Sequence, residues 1–250
     1  MKRSLIILHV LSLLNVPAGG VQHNYLTVDN GFVMLKDTDA KPDTESGGFI
    51  HDIGELDSGT AGGVLNILYD GVNPEARSLI TIGKLSGTGN LELQGSSTNT
   101  LQLFQLAAGA AADFRGNLTL SNYCATWDGD GLYDSVVALE SGAMALSGSI
   151  ALDVAGYCAE DSFFTVALGL GGDWSIGGLD APDYIAPAAC VYSGSLVKDI
   201  SAIRHNHELS DYISPEAHTL TIDTDSTHHY HGSLLGRLTI IKKGSGTLQI

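Results

Sequence analysis

A short glycine-led pattern recurs along this chain at nearly constant spacing. The unit is Gly-x-Leu-x-Leu, in which Ile or Met can replace Leu, and its four regular copies begin at Gly63, Gly89, Gly116 and Gly142. The steps between these glycines are 26, 27 and 26 residues. Looser copies begin at Gly172, Gly194, His218 and Gly246. Each copy has the alternation of a β-strand and is opened by a turn residue.

A strand repeated at this period predicts an all-β protein, a parallel β-helix or β-solenoid with rungs of about 26 residues, because stacked coils bury a common core that one coil cannot bury alone. One inward column is predicted to contain Leu65, Leu91, Leu118 and Met144. Its neighbour is predicted to contain Ile67, Leu93, Leu120 and Leu146. Asn66, Glu92, Thr119 and Ala145 are expected to face outward. A β-sandwich also has short strands and Gly-rich turns, but near-constant spacing is harder to obtain there.

The N-terminus has the organisation of a secretory signal peptide. Lys2 and Arg3 precede an apolar run over residues 5–14, and the small-residue segment Val16-Pro17-Ala18 follows. We expect cleavage after Ala18 and export by the Sec pathway. The predicted division is then a signal peptide over residues 1–18, an N-terminal cap or irregular lead-in over 19–60, and a solenoid over 61–250.

Charge and composition restrict the class of partner. The formal net charge is -16, from 28 acidic and 12 basic residues, so phosphate backbones would be repelled and nucleic acid is not expected as a partner. Apolar residues make up 44% of the chain, which is inconsistent with disorder. The chain also has 31 glycines and 6 prolines, a balance that favours short strands separated by glycine turns.

The last coil carries a more specific signal, in "HHYHGSLLGRLTIIKKGSGTLQI" from His228 to Ile250. This segment resembles the autotransporter-associated β-strand repeat at Tyr230, Gly232, Leu234, Gly236, Leu238, Lys243, Gly244, Gly246, Thr247, Leu248 and Ile250. A more diverged copy lies between Gly83 and Thr100, with Gly87, Gly89, Leu91, Leu93 and Gly95 in equivalent places.

The resemblance implies an autotransporter-type passenger on, or released from, a Gram-negative outer membrane. The expected role is structural, display or adhesion, with host surfaces or extracellular glycans as partners and no cofactor. Membrane association would require a translocator that is not present in this chain. Because the repeat normally continues beyond "GTLQI", we also expect the sequence to be an N-terminal fragment, with Leu248 and Ile250 at an open end.

Asp57 is the candidate catalytic residue. Asp57-Ser58-Gly59-Thr60 is similar to the D-[TS]-G-[TS] turn of aspartic peptidases, which use two carboxylates to activate water. No second D-[TS]-G is present, so a peptidase could work as a homodimer or with a carboxylate pair assembled across rungs. The alternative is a polar turn between strands, for which Asp, Ser and Gly are the usual residues.

Metal and glycan sites have weaker signals. His229 and His231 share a strand face, which is compatible with zinc, and Asp128 and Asp130 lie in a Gly-containing acidic turn of the kind that binds calcium. Trp127 and Trp174 are candidates for stacking on sugars in a glycan-binding module. Cys124, Cys158 and Cys190 allow one disulfide and leave at least one thiol, and burial of all three as small apolar residues is equally compatible.

Overall fold

The structure, a computed structural model, describes residues 21–36, 49–68, 77–96, 101–124, 134–156, 163–183, 189–196 and 213–250. The expected signal peptide lies outside these ranges. None of the described residues belongs to a helix that could cross a bilayer.

The described residues form three β-sheets. The largest has eleven strands: β1 (Val21–Thr27), β3 (Phe49–Asp57), β5 (Arg77–Ile82), β6 (Leu85–Gly87), β8 (Leu101–Leu106), β9 (Asp113–Phe114), β11 (Asp134–Ser141), β13 (Phe163–Leu170), β15 (Ala189–Leu196), β16 (Ile213–Pro215) and β19 (Ser233–Leu235). The second has eight: β2 (Gly31–Lys36), β4 (Gly63–Leu68), β7 (Leu91–Ser96), β10 (Leu118–Cys124), β12 (Met144–Gly156), β14 (Trp174–Asp180), β17 (Ala217–Asp223) and β20 (Arg237–Lys243). The third pairs β18 (Thr227–His229) with β21 (Thr247–Gln249).

The chain adds strands to the two large sheets in turn. The larger sheet has the order β16-β15-β13-β11-β8-β5-β3-β6-β9, with β1 also on β3 and β19 also on β15. The eight-stranded sheet has the order β2-β4-β7-β10-β12-β14-β17-β20, so its strands follow one another in chain order. Among the described strands every pairing is parallel except that of β15 with β16. The prediction of an all-β chain with parallel strands is therefore confirmed for the described residues.

Strand pairing also includes the segment expected to be a cap or irregular lead-in. β1 pairs with β3, β2 pairs with β4, and β3 pairs with β5, all in parallel. Within the described ranges, regular sheet structure therefore begins at Val21.

The predicted stacking columns need a correction of register. Leu91 does pair with Leu118, as predicted, but Leu65 pairs with Leu93 and not with Leu91. Leu118 pairs with Ile150 and not with Met144. The observed column is thus Leu65, Leu93, Leu120 and Leu152. In a period-2 strand, a shift of two residues keeps the same face inward, so the apolar pattern alone does not distinguish these registers.

The core lies between the two large sheets. One apolar cluster contains fully buried residues from both, including Leu65, Leu93 and Leu120 of the smaller sheet and Ile80 and Phe104 of the larger one. Asn66, for which the alternation predicts an outward direction, is not exposed to solvent, since only 2% of its surface is accessible. Its amide donates to Gln94 Oε1 at 2.6 Å, along a ladder of polar side chains.

Three of the four glycines that begin the regular copies, Gly63, Gly89 and Gly116, are required by close approach of successive turns, whereas a Cβ on Gly142 would have Ala108 Cβ, 3.2 Å away, as its nearest atom. A Cβ on Gly89 would lie 2.0 Å from the backbone nitrogen of Gly62, and a Cβ on Gly116 would lie 2.0 Å from the carbonyl oxygen of Gly89. Any side chain at these positions would collide with the preceding turn. The glycine period in the sequence therefore marks stacked turns.

Polar side chains join these turns to one another. Asn90 Oδ1 accepts a hydrogen bond from the backbone nitrogen of Asn117 at 3.0 Å, and Asn117 Oδ1 accepts one from the backbone nitrogen of Ser149 at 3.0 Å. Asp29 Oδ1 accepts similarly from Thr60 and Ala61. Turn N–H groups that have no sheet partner are satisfied in this way.

Candidate functional site

An open groove with a volume of about 660 Å³ crosses the larger sheet. This volume lies in the range of about 300–1,000 Å³ typical of small-molecule sites. The groove is lined by Gln22, His23, Asn24, Asp52, Ile53, Gly54, Thr81, Ile82, Gly83, Gln105, Leu106, Ala107, Glu140, Ser141, Gly142, Gly171, Gly194 and Ser195.

The lining follows a three-residue pattern that repeats in successive strands. It consists of a first residue that is polar in most copies, a second residue that is often apolar, and a third residue that is Gly or Ala in all strands but β1. The copies are Gln22-His23-Asn24, Asp52-Ile53-Gly54, Thr81-Ile82-Gly83, Gln105-Leu106-Ala107, Glu140-Ser141-Gly142, Gly169-Leu170-Gly171 and Tyr192-Ser193-Gly194. In the last two copies only the third residue, Gly171 or Gly194, lines the groove. Sequence reasoning missed this pattern because it followed the repeat of the other sheet.

The first residues of these copies are in direct register. The row runs through Gln22, Asp52, Thr81, Gln105, Glu140, Gly169 and Tyr192, each paired with the next on the neighbouring strand. Within this row Thr81 Oγ1 donates a hydrogen bond to Asp52 Oδ1. We call the first five residues, which carry polar side chains and line the groove, the polar row. Adjacent strands lie about 4.8 Å apart, so a polar group recurs at about that interval along the groove.

Glu140 is the buried carboxylate of the groove. It is 8% exposed, and its Oε1 accepts hydrogen bonds from Tyr192 Oη at 2.7 Å and from the backbone nitrogen of Leu196 at 2.8 Å. Among the described residues, no hydrogen bond ends on its other oxygen, Oε2. Burial and the neighbouring Glu140 carboxylate raise the pKa of Tyr192 well above its usual value, so its hydroxyl remains a donor.

Gly169 makes the Glu140–Tyr192 contact sterically accessible. The Tyr192 side chain passes over Gly169, where an added Cβ would lie 2.4 Å from the tyrosine oxygen. A side chain at residue 169 would therefore displace the ring and break the hydrogen bond that fixes Glu140.

His23 lines the groove on β1 and contacts the buried His51, which is not among the lining residues. His23 Nε2 and His51 Nδ1 are 3.1 Å apart, and the two rings are stacked with centroids 5.4 Å apart. Burial lowers the pKa of His23, because desolvation penalises the charged imidazolium.

Asp57 ends β3 and organises the turn that follows. Its Oδ1 accepts from the backbone nitrogen of Gly59 at 2.8 Å, and its Oδ2 accepts from Tyr25 Oη at 2.5 Å. Gly59 has a φ of 58°, in the left-handed region. The Tyr25 hydroxyl and the Gly59 amide lower the pKa of Asp57. These donors stabilise a carboxylate, whereas a proton-sharing acid pair needs one carboxyl group whose pKa is raised.

The histidines near the C-terminus occupy two different environments. His229 and His231 are exposed, and their rings stack with centroids 6.4 Å apart. His228 is partly buried: its Nδ1 lies 2.8 Å from Asp180 Oδ2 and its Nε2 lies 3.1 Å from Thr224 Oγ1. Sequence reasoning missed this second arrangement, since Asp180 and His228 are 48 residues apart and share no local pattern.

The structure describes only some of the other candidate residues. Asp128, Asp130, Trp127 and Cys158 lie outside the described ranges. The described residues contain no group of three or more His, Cys, Asp or Glu side chains able to hold a metal ion. Cys190 is a free, buried thiol, and burial raises its pKa to about 12.

Trp174 is a core residue. It is 1% exposed, and its indole nitrogen donates to the carbonyl oxygen of Gly142 at 2.7 Å. A ring in this position has no face available to a sugar, so Trp174 is not a stacking platform.

Comparisons of the chain with protein-family models, with curated proteins and with solved structures found no match.

Proposed function

We propose that this protein is an exported, cell-surface or secreted parallel β-solenoid of the autotransporter-passenger type, with a structural, display or adhesion role. The observation that carries the proposal is the pairing of β17 with β20 in parallel and in register over seven residues, since β20 lies within the segment that resembles the autotransporter-associated repeat.

The solenoid architecture is supported by how the chain returns to each sheet. Leu65, Leu93 and Leu120 are paired neighbours 28 and 27 residues apart, close to the 26-residue rung of the proposal. Other returns are longer or shorter: Ile176 pairs with Ile222, 46 residues on, and Ile222 pairs with Lys242, 20 residues on. Insertions and deletions between strands account for such differences without disturbing the stacking.

The aromatic-x-Gly feature of the repeat has a physical explanation here. Tyr230 is fully buried, and its hydroxyl donates to the carbonyl oxygen of Ser233 at 2.7 Å. A Cβ on Gly232 would lie 2.5 Å from that hydroxyl. The glycine two residues after the aromatic therefore leaves room for the ring to close the core, which is a structural role and supports a scaffold.

Export and display are tested in a Gram-negative host that expresses the gene with its complete downstream reading frame. We expect the mature chain to begin at residue 19 and to be degraded by protease added to intact cells. Purified protein should adhere to host-cell surfaces. A chain that retains residues 1–18 and resists external protease would contradict the proposal.

An acid-pH proteolysis assay on the wild-type chain and on Asp57→Asn distinguishes the aspartic-peptidase hypothesis for Asp57 from the display proposal. The display proposal predicts no difference between them. Cleavage that disappears in Asp57→Asn would replace the structural role with a catalytic one.

A further inference from the structure

We propose that the groove across the larger sheet binds an extended, neutral, β-1,4-linked oligosaccharide that lies across the strands, along the polar row. The inference gives the proposed adhesion role a ligand class and rests on that role only for its biological setting.

The spacing of the polar row favours a sugar chain over a peptide. Successive side chains of the row lie about 4.8 Å apart, one for each strand. An extended peptide presents same-face side chains at about 6.6–6.8 Å, twice its rise per residue, and would fall out of step within two residues. An extended pyranose chain has hydroxyl groups on every ring, so it can contact each strand in turn.

The chemistry of the row suits hydroxyl groups. Gln105 carries an amide that both donates and accepts, and it is exposed in the groove. Asp52 and Thr81 add a carboxylate and a hydroxyl in direct register with it. Such a mixture of donors and acceptors matches a ligand whose hydroxyls are both.

Two adjoining residues, Glu140 and Ser141, are the second, independent feature that indicates a ligand. Glu140 lines the groove while more than nine-tenths buried, and Tyr192 and Leu196 fix its position, which lowers the ordering cost of binding. Ser141 also lines the groove and is 4% exposed, and its Oγ is a buried atom with no hydrogen-bond partner among the described residues. A buried hydroxyl without a partner is costly, so this oxygen is suited to bond a ligand hydroxyl.

Charge argues for a neutral ligand. The groove lining contains the carboxylates Asp52 and Glu140 and no Lys or Arg among the described residues. The chain as a whole has a net charge of -16. An anionic polysaccharide would meet repulsion both locally and from the whole surface.

The third residue of the pattern is Gly or Ala in all strands but β1, so no large side chain fills the base of the groove there. Gly54 and Gly83 have backbone reasons to be glycine, since an added Cβ would lie 2.6 Å and 2.8 Å from neighbouring carbonyl oxygens. Their substitution would perturb the sheet, so they are unsuitable for a binding test. Gln105 is suitable because its exposed side chain has no such packing role.

The test is calorimetric titration of the purified chain with cellohexaose, xylohexaose and mannohexaose. Cellobiose serves as the length control and polygalacturonate as the anionic control. The groove variants are Gln105→Ala and the near-isosteric Glu140→Gln. The matched control is Gln249→Ala, which removes an exposed glutamine side chain in the small sheet, outside the groove. Circular dichroism verifies that each variant folds.

We expect at least one hexaose to bind, with cellobiose at least tenfold weaker than cellohexaose if the latter is the ligand. Gln105→Ala should weaken binding at least tenfold, about 1.4 kcal/mol, and Gln249→Ala should bind like the wild type. The inference would be overturned if none of the three hexaoses bound at millimolar concentration. It would also be overturned if Gln105→Ala and Gln249→Ala lost affinity equally, or if polygalacturonate were the only ligand that bound. Because purified protein is used, failure here leaves export and display unaffected, and failure of export leaves this binding measurement valid.

Discussion

At the scale of single residues, environment decides what each polar side chain does. Asp57 and Glu140 are both carboxylates on the larger sheet, yet Asp57 is partly exposed beside a turn, whereas Glu140 is buried in a groove. The donors at Asp57 are the hydroxyl of Tyr25 and the amide of Gly59, both of which fix local structure. The residue type and the short sequence around Asp57 could suggest catalysis, but its contacts favour a turn.

Asp57→Asn should reduce stability slightly at neutral pH, by less than about 1 kcal/mol, because the carboxylate is partly exposed and screened. The folded-state pKa of Asp57 lies below its unfolded value of 3.8. Its stabilising contribution is therefore present above that value and is lost as pH falls through the folded pKa. Urea unfolding at pH 6 and at about pH 3 should show the gap between wild type and variant narrowing in acid. A gap that widens would contradict the assignment, and Asp223→Asn, at an exposed position on β17, is the control.

His23→Gln should make the protein less sensitive to mild acid. Burial lowers the pKa of His23 below its unfolded value of 6.5, so the unfolded chain binds more protons as pH falls from 7 to 5. The stability associated with neutral His23 is complete above 6.5 and is lost as pH falls toward the folded pKa. Thermal melts at pH 7 and pH 5 should show a larger decrease for the wild type than for His23→Gln. The exposed His231→Gln is the control, and equal decreases in wild type and His23→Gln would refute the prediction.

At the scale of strands, the sequence indicates which residues face inward more reliably than it indicates their partners. Leu65, Leu93 and Leu120 are all buried, as the alternation predicts. The predicted partner of Leu118 is wrong by six residues, because β10 pairs with the second half of the long strand β12, from Ile150 onward, and not with its first residue, Met144. Apolar alternation is unchanged by a shift of even length, so only the paired backbone resolves it.

Cysteine cross-linking distinguishes the two registers of β10 on β12. Thr119 pairs with Ala151, so Thr119→Cys with Ala151→Cys places two thiols on neighbouring strands at about 4.8 Å between Cα atoms, within disulfide range. We expect a 119–151 linkage in non-reduced peptide maps, which also separate it from linkages to the native cysteines. The control pair, Thr119→Cys with Ala145→Cys, follows the register expected from the repeat and should not form a linkage. The opposite result would restore the sequence-derived register.

At the scale of the molecule, the two large sheets enclose one apolar cluster along their length. The repeat in the sequence anticipates this stacking, because equivalent glycines and leucines recur in successive strands. The groove could not be anticipated in the same way: its residues are polar or glycine, and they become a site only when seven strands bring them into register. A chain built by stacking makes contacts mainly between neighbouring strands, so disturbances should remain local.

Leu120→Ala tests that locality. Leu120 is fully buried between Leu93 and Leu152, and its truncation should cost about 2–5 kcal/mol by leaving a cavity. Hydrogen exchange should lose protection chiefly in β7, β10 and β12, while β17 and β20, several strands away in the sheet, should retain it. Thr119→Ala, on the opposite face of the same strand, is the matched control and should leave exchange nearly unchanged. Equal loss of protection from β2 to β20 would mean that the sheets unfold as one cooperative unit and that stability is not divided among neighbouring strands.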